Sequence, residues 1–279
     1  MNKRTVIRRS RTPLALLATG GLAAALTATS IAPASAVTGS ASHPKPTVVL
    51  VHGAFADSTS WNDVIKKLKH EGYPVMAAAN PLRGLSSDSA YLKDVLAGIK
   101  GPIVLAGHSY GGAVISNAAT GNENVKALVY IAAFVPDKGE SALDLAGKFP
   151  GSTLGKALRP APVTNPDGTR GTDLYIQEEK FRHQFAADAP RNTTDLMAAT
   201  QRPVTEAALA EGSSEPAWKT IPSWDLVATQ DRNIPLKAQT FMAERAGAHT
   251  VEVKASHAAS VSHPDKVTEI IEDAARTVR

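Results

Sequence analysis

The sequence predicts an α/β protein with a mostly parallel sheet of about six strands flanked by helices. Six short runs recur along the chain, most of them apolar on both faces, as strands buried within a parallel sheet are. Between them lie longer segments whose apolar residues follow helical spacing, the alternation expected of crossover helices. At 279 residues, with 43% hydrophobic and 20% charged, the chain can bury one generous core.

The first 36 residues are set apart from this pattern. Lys3, Arg4, Arg8, Arg9 and Arg11 form a basic head, "PLALLATGGLAAALTATSIA" is moderately apolar, and "APASA" ends in the small-x-small pattern of a signal peptidase site. Residues 1–36 are therefore read as a signal peptide cleaved after Ala36, which predicts a secreted protein. Stable membrane anchoring is not expected, because Thr19, Gly20, Gly21, Thr27, Thr29 and Ser30 interrupt the stretch and a span needs about twenty strongly apolar residues. Removing the five leader cations takes the formal charge from +4 to −1. The basic balance thus belongs to the leader, and no nucleic-acid partner is implied. The absence of cysteine excludes disulfides, thiol catalysis and cysteine metal sites.

After a flexible stretch, residues 37–46, the predicted domain runs from 47 to 279. Its strand candidates are "TVVLV" (47–51), "PVMAAA" (74–79), "PIVLAG" (102–107), "KALVYIAAF" (126–134), "SWDLVAT" (223–229) and "TVEVK" (250–254). Helix-period segments fill the gaps: "WNDVIKKLKHEG", "AYLKDVLAGIK", "GAVISNAAT", "AQTFMAERAGA" and "PDKVTEIIEDAARTV". From about 136 to 221 the alternation stops. That region is richer in Pro, Gly, Thr and charge, with helix-like pieces at "YIQEEKFRHQFAAD" and "TDLMAAT" and no convincing buried strand, and it reads as a helical cap over the end of the sheet.

"GHSYGG" falls where the third strand hands over to a helix. In G-x-S-x-G at such a junction the serine sits on a strained elbow, and the glycines permit close backbone approach. Gly107, Ser109 and Gly111 satisfy the pattern. A serine hydroxyl needs a base, and in this elbow architecture the acid and then the histidine follow in the chain. His249 precedes the final strand and His263 reads as a helix start, whereas His257 lies three residues beyond "TVEVK", at the sheet edge where Ser109 emerges. Asp231, just past the fifth strand, is the predicted acid; Asp225 falls inside that strand, and Asp137 after "IAAFVP" is the alternative. The oxyanion donors are the backbone N–H of Tyr110, after the nucleophile, and of Ala54, after the first strand. His52 is read as shaping that loop. No metal and no cofactor is needed for this chemistry.

The segments "VLVHGAFADSTSW", "GHSYGG", "ATQDRNIP" and "SHAASVSHP" together resemble the α/β-hydrolases, and within them the compact branch of plant methyl esterases and hydroxynitrile lyases. The resemblance covers most of residues 47–275 and implies the α/β-hydrolase fold. It also implies Ser109, Asp231 and His257 as triad, Ala54 and Tyr110 as oxyanion donors, and a small-molecule ester as substrate. Lyases of this branch carry a lysine after the triad histidine and a threonine after the first strand; here those places hold Ala258 and Gly53, so hydrolysis is expected. Lactonases, amide-cleaving enzymes, cofactor-free perhydrolases and non-catalytic binding proteins share the fold, and remain open as alternatives. Phe55, Trp61, Tyr110, Phe134 and Trp218 are candidates for the pocket wall, although core packing is the commoner role for such residues.

Overall fold

The computed structural model describes residues 44–165 and 167–278. The expected signal peptide lies outside the described residues. The first half of the domain consists of β1 (Thr47–Val51), α1 (Asn62–His70), β2 (Val75–Ala78), α2 (Leu85–Ala97), β3 (Ile103–His108), α3 (Tyr110–Ala118) and β4 (Val125–Ile131). An insertion follows, with α4 (Ala142–Lys148), β5 (Leu158–Thr164), β6 (Arg170–Ile176), α5 (Glu178–Phe185), α6 (Arg191–Thr200), β7 (Val204–Thr205) and α7 (Glu206–Ala210). The chain then returns to the sheet through β8 (Ser223–Ala228), α8 (Leu236–Arg245), β9 (His249–Val253), α9 (Ala259–Ser262) and α10 (Pro264–Thr277).

Six strands form one sheet in the order β2-β1-β3-β4-β8-β9, every neighbouring pair parallel. The expected fold class therefore holds, and all six predicted strands are present within a few residues of their expected bounds. Alternation along the central strands sends Val49, Val51, Leu105, Leu128 and Tyr130 to one core and Val48, Leu50, Val104, Val129 and Leu226 to the other. Both faces are covered, which is why these strands read as continuous apolar runs. The outer strand β9 is the exception: His249, Thr250 and Glu252 are exposed on it, as suits an edge. No helix among the described residues is long and apolar enough to cross a membrane.

The insertion departs from the expectation of a helical cap with no convincing buried strand, because it also carries strands. β5, β6 and β7 form a separate three-stranded antiparallel sheet. Pro160 and Pro162 concealed β5 in the sequence, yet β5 pairs only with β6, and an edge strand tolerates residues without an N–H. The helical pieces are present as α5 and α6, but Tyr175 and Ile176 belong to β6.

β8 carries one buried ionisable group. Asp225 is buried, and neither carboxylate oxygen has a hydrogen-bond partner among the described residues. Burial pushes its carboxyl well above the usual range. A raised folded-state value means that the native chain holds a proton the unfolded chain has released, so Asp225 lowers stability as pH rises above about 4. Asp225→Asn should raise Tm by about 4 °C at pH 7, equivalent to about 2 kcal/mol, with the gain shrinking toward pH 4. Thermal melts of both proteins at the two pH values check this; an equal gain at both would remove ionisation as the cause.

Candidate active site

The site sits at the carboxyl edge of the sheet, where the chain has laid β2 on one side of β1 and β3 on the other. Strand order reverses at this point, leaving a crevice between the loops that follow β1 and β3. Ser109 is the turn between β3 and α3, with φ 54° and ψ −125°, a sparsely populated conformation for a residue with a side chain. The elbow closes only with glycine on either side. A Cβ on Gly107 would lie 2.6 Å from the carbonyl oxygen of Gly111, and one on Gly112 would lie 2.5 Å from that of Phe134. Gly53 is equally confined, since a Cβ there would approach Ser109 Cβ to 2.6 Å and the His108 carbonyl oxygen to 2.7 Å.

His257 follows β9, three strands away from β3 and thus about 14 Å across the sheet, and its loop folds back over the edge to reach the elbow. Its Nε2 lies 2.8 Å from Ser109 Oγ and its Nδ1 lies 2.7 Å from Asp231 Oδ2. The sequence-predicted serine, histidine and acid therefore form one hydrogen-bonded line, with the His257 and Asp231 side chains buried. Asp137 takes no part: it pairs with Lys219 at 2.6 Å.

Asp231 is itself held on both oxygens. Oδ1 accepts the backbone N–H of Asn233 at 2.7 Å and of Ile234 at 3.0 Å, while Oδ2 also accepts from Gln239 Nε2 at 3.1 Å. Gln239, on α8, is anchored in turn by bonds with Ala228 and Ile234. Sequence reasoning missed this residue, and a glutamine in an amphipathic helix gives no signal that would have found it.

His108 was missed as well. Its Nε2–H donates to the backbone oxygen of His257 at 2.9 Å, and the two rings lie 4.7 Å apart. Burial first, and the neighbouring His257 second, hold His108 well below the usual imidazole range. It therefore stays neutral and fixes the histidine loop rather than exchanging protons.

The Ala54 and Tyr110 amides flank Ser109 from adjacent strand ends, and among the described residues neither donates to another backbone group. Free N–H groups at a developing negative oxygen stabilise it by about 3 kcal/mol each. His52 shapes the first of these loops: Nδ1–H donates to the Gly53 carbonyl at 2.9 Å and Nε2 accepts the Asn80 N–H at 3.1 Å. Burial lowers its basicity.

The insertion holds the Ala54 segment directly, and reaches Tyr110 by way of Arg83 and Asp88, through one stretch, residues 202–205. Arg202 accepts the N–H of Phe55 at 3.0 Å, and Thr205 donates its N–H to Leu82 and its Oγ1–H to Arg83, at 3.1 and 2.9 Å. Arg83 reaches Pro203 at 2.8 Å and Asp173 at 2.7 Å. Its own N–H bonds Asp88, whose Oδ2 accepts the Tyr110 hydroxyl at 2.9 Å. A second tie holds the histidine loop, where Asp188 accepts the Ser256 N–H at 2.9 Å and bonds the Ser256 hydroxyl, and Phe185 accepts the N–H of Ala258 at 3.0 Å.

Over Ser109 lies a cavity of about 40 Å³ lined by Ala54, Phe55, Phe134, Leu143, Ala146 and Leu154, among others. Of the five aromatic candidates, Phe55, Tyr110 and Phe134 line it. Trp61 is buried edge-on to His108, and Trp218 is spent on a bond from Nε1 to Pro136.

The family model described as the alpha/beta hydrolase family matches residues 48–270. The chain belongs to this family. As an α/β-hydrolase it is similar to the carbendazim hydrolyzing esterase of Nocardioides sp. (strain SG-4G), with 34% identity over 113 residues, covering 36% of this chain and 47% of that protein. It is also similar to the pyrethroid hydrolase of Sphingobium wenxiniae (strain DSM 21828 / CGMCC 1.7748 / JZ-1), with 27% identity over 81% of this chain and 86% of that one. Among solved structures, polyneuridine aldehyde esterase superposes with a TM-score of 0.72 at 22% identity, covering 82% of the α/β-hydrolase chain and 98% of the other, a likeness of fold. The expectation of a hydrolytic enzyme of this family holds.

Proposed function

We propose that this α/β-hydrolase is a secreted serine hydrolase that cleaves small carboxylic esters through an acyl-enzyme. The observation that carries this reading is the unbroken line from Ser109 Oγ through His257 to Asp231, beside two backbone amides that have no partner among the described residues. Ser109 Oγ forms a bond to the ester carbonyl carbon and passes its proton to His257 Nε2, while the carbonyl oxygen, now negative, is held by the Ala54 and Tyr110 N–H groups. Collapse breaks the bond to the alcohol oxygen, which leaves with the proton from His257. Water then gives its proton to His257 and attacks the acyl carbon, and Ser109 recovers the proton as the acid departs. Asp231 keeps Nδ1 protonated and balances the imidazolium charge.

Two features favour hydrolysis over cyanohydrin cleavage. Gly53 leaves no room for the side chain of a threonine, and Ala258 supplies no cation. The esterase names of two relatives support the same class. Export rests on the basic head, apolar stretch and small-x-small site of residues 1–36. The test is a panel of p-nitrophenyl esters combined with fluorophosphonate labelling and mapping of the modified residue. Turnover with the label on Ser109 is expected; absence of turnover with an unlabelled Ser109 would overturn the reading.

A further inference from the structure

A second hollow adjoins the first. A groove of about 310 Å³ runs between α6 of the insertion and the segment that follows β1, walled by Leu196 and Met197 of α6, by Ser260 and Val261 of α9, and by Phe55 and Ala56. Phe55 lines this groove and the 40 Å³ cavity over Ser109 alike, so the two spaces have that residue in common. We propose that the groove receives the alcohol half of the ester substrate, a neutral and mostly apolar group about the size of an aromatic ring, with Phe55 as the movable partition. The inference rests on the ester-hydrolase reading and deepens it.

Size assigns the two halves. A 40 Å³ space holds a group of roughly two or three heavy atoms at most, far below the 300 Å³ or more of an ordinary ligand pocket. Only a short acyl chain fits there, which sends the bulk of any larger substrate elsewhere. The leaving oxygen must take its proton from His257, and α9, which walls the groove, starts two residues beyond His257.

The lining gives the chemistry. Asp63 and Lys66 at the rim pair with each other at 2.8 Å, which leaves no unpaired cation for an anionic ligand among the described lining residues, and the Asp57 carboxylate is occupied by the Thr59 N–H and hydroxyl. Leu196 is 70% exposed, an apolar surface that a ligand would cover. Ser260 is buried, yet its Oγ has no hydrogen-bond partner among the described residues. A buried hydroxyl without a partner is costly, and one lining a hollow offers a bond to whatever fills it. The Phe55 backbone is fixed, at φ 61° and with its N–H on Arg202, so only its side-chain torsions are free to open the partition.

The experiment compares kcat/KM for benzyl acetate with that for methyl acetate in the wild type, Phe55→Ala and Leu196→Trp. Removing the partition should raise the benzyl-to-methyl ratio about tenfold, and filling the groove should lower it about tenfold. Leu196 is a surface position, so its variant keeps the test sound where Phe55→Ala fails to fold. An unchanged ratio in Leu196→Trp, with methyl acetate still cleaved, overturns the groove and leaves the hydrolase reading standing. A wild type that cleaves neither ester overturns both.

Discussion

Ser109→Ala lowers ester turnover by about a millionfold while leaving the protein folded. Serine nucleophiles of hydrogen-bonded triads act as a unit with their base, and loss of the hydroxyl costs of that order in kcat. What survives is the binding and amide contribution, roughly a thousandfold over water. The elbow conformation at φ 54° is no more strained for alanine than for serine, so its cost is already present in the wild type. Stability changes only by the lost bond to His257, about 1 kcal/mol. Turnover of p-nitrophenyl acetate and a thermal melt together check this. A folded variant retaining even one per cent of the activity would show that another group is the nucleophile.

Asp231→Asn lowers kcat about ten-thousandfold, by reversing a tautomer. The Oδ1 position accepts two backbone N–H groups and must stay an oxygen. The new amide nitrogen therefore falls at the Oδ2 position, facing His257 Nδ1 and Gln239 Nε2. Presented with a donor, His257 turns Nδ1 into an acceptor and moves its proton to Nε2. That nitrogen can then no longer take the proton from Ser109. Hydroxide can remove the serine proton in place of the imidazole as pH rises, so a pH–rate profile climbing above pH 9 accompanies the loss. If Asp231→Asn were as active as the wild type at pH 7, a different acid would have to be orienting His257.

The architecture and the positions brought together were legible because each rests on a local cue. Parallel strands buried on both faces must be continuously apolar, so "TVVLV" and "PIVLAG" announce themselves. An elbow needs small residues at fixed offsets, and a loop after a strand must open at the carboxyl edge, which placed Asp231 and His257. β5 was illegible because a half-exposed edge strand needs neither continuous apolarity nor every N–H. Gln239, His108, Arg83 and Asp88 were illegible for another reason: each is a lone polar side chain whose partners, from nearby Asp231 for Gln239 to distant Asp173 for Arg83, follow no periodicity or fixed spacing.

The stretch 202–205 has a bearing on heat inactivation. It belongs to the insertion, yet the loops after β1 and β2 that flank the Ser109 elbow lean on it. On warming, such a periphery loosens before a doubly covered sheet does. Catalysis should thus fade several degrees below the temperature at which the far-ultraviolet dichroism collapses, and cooling from that interval should restore it in full.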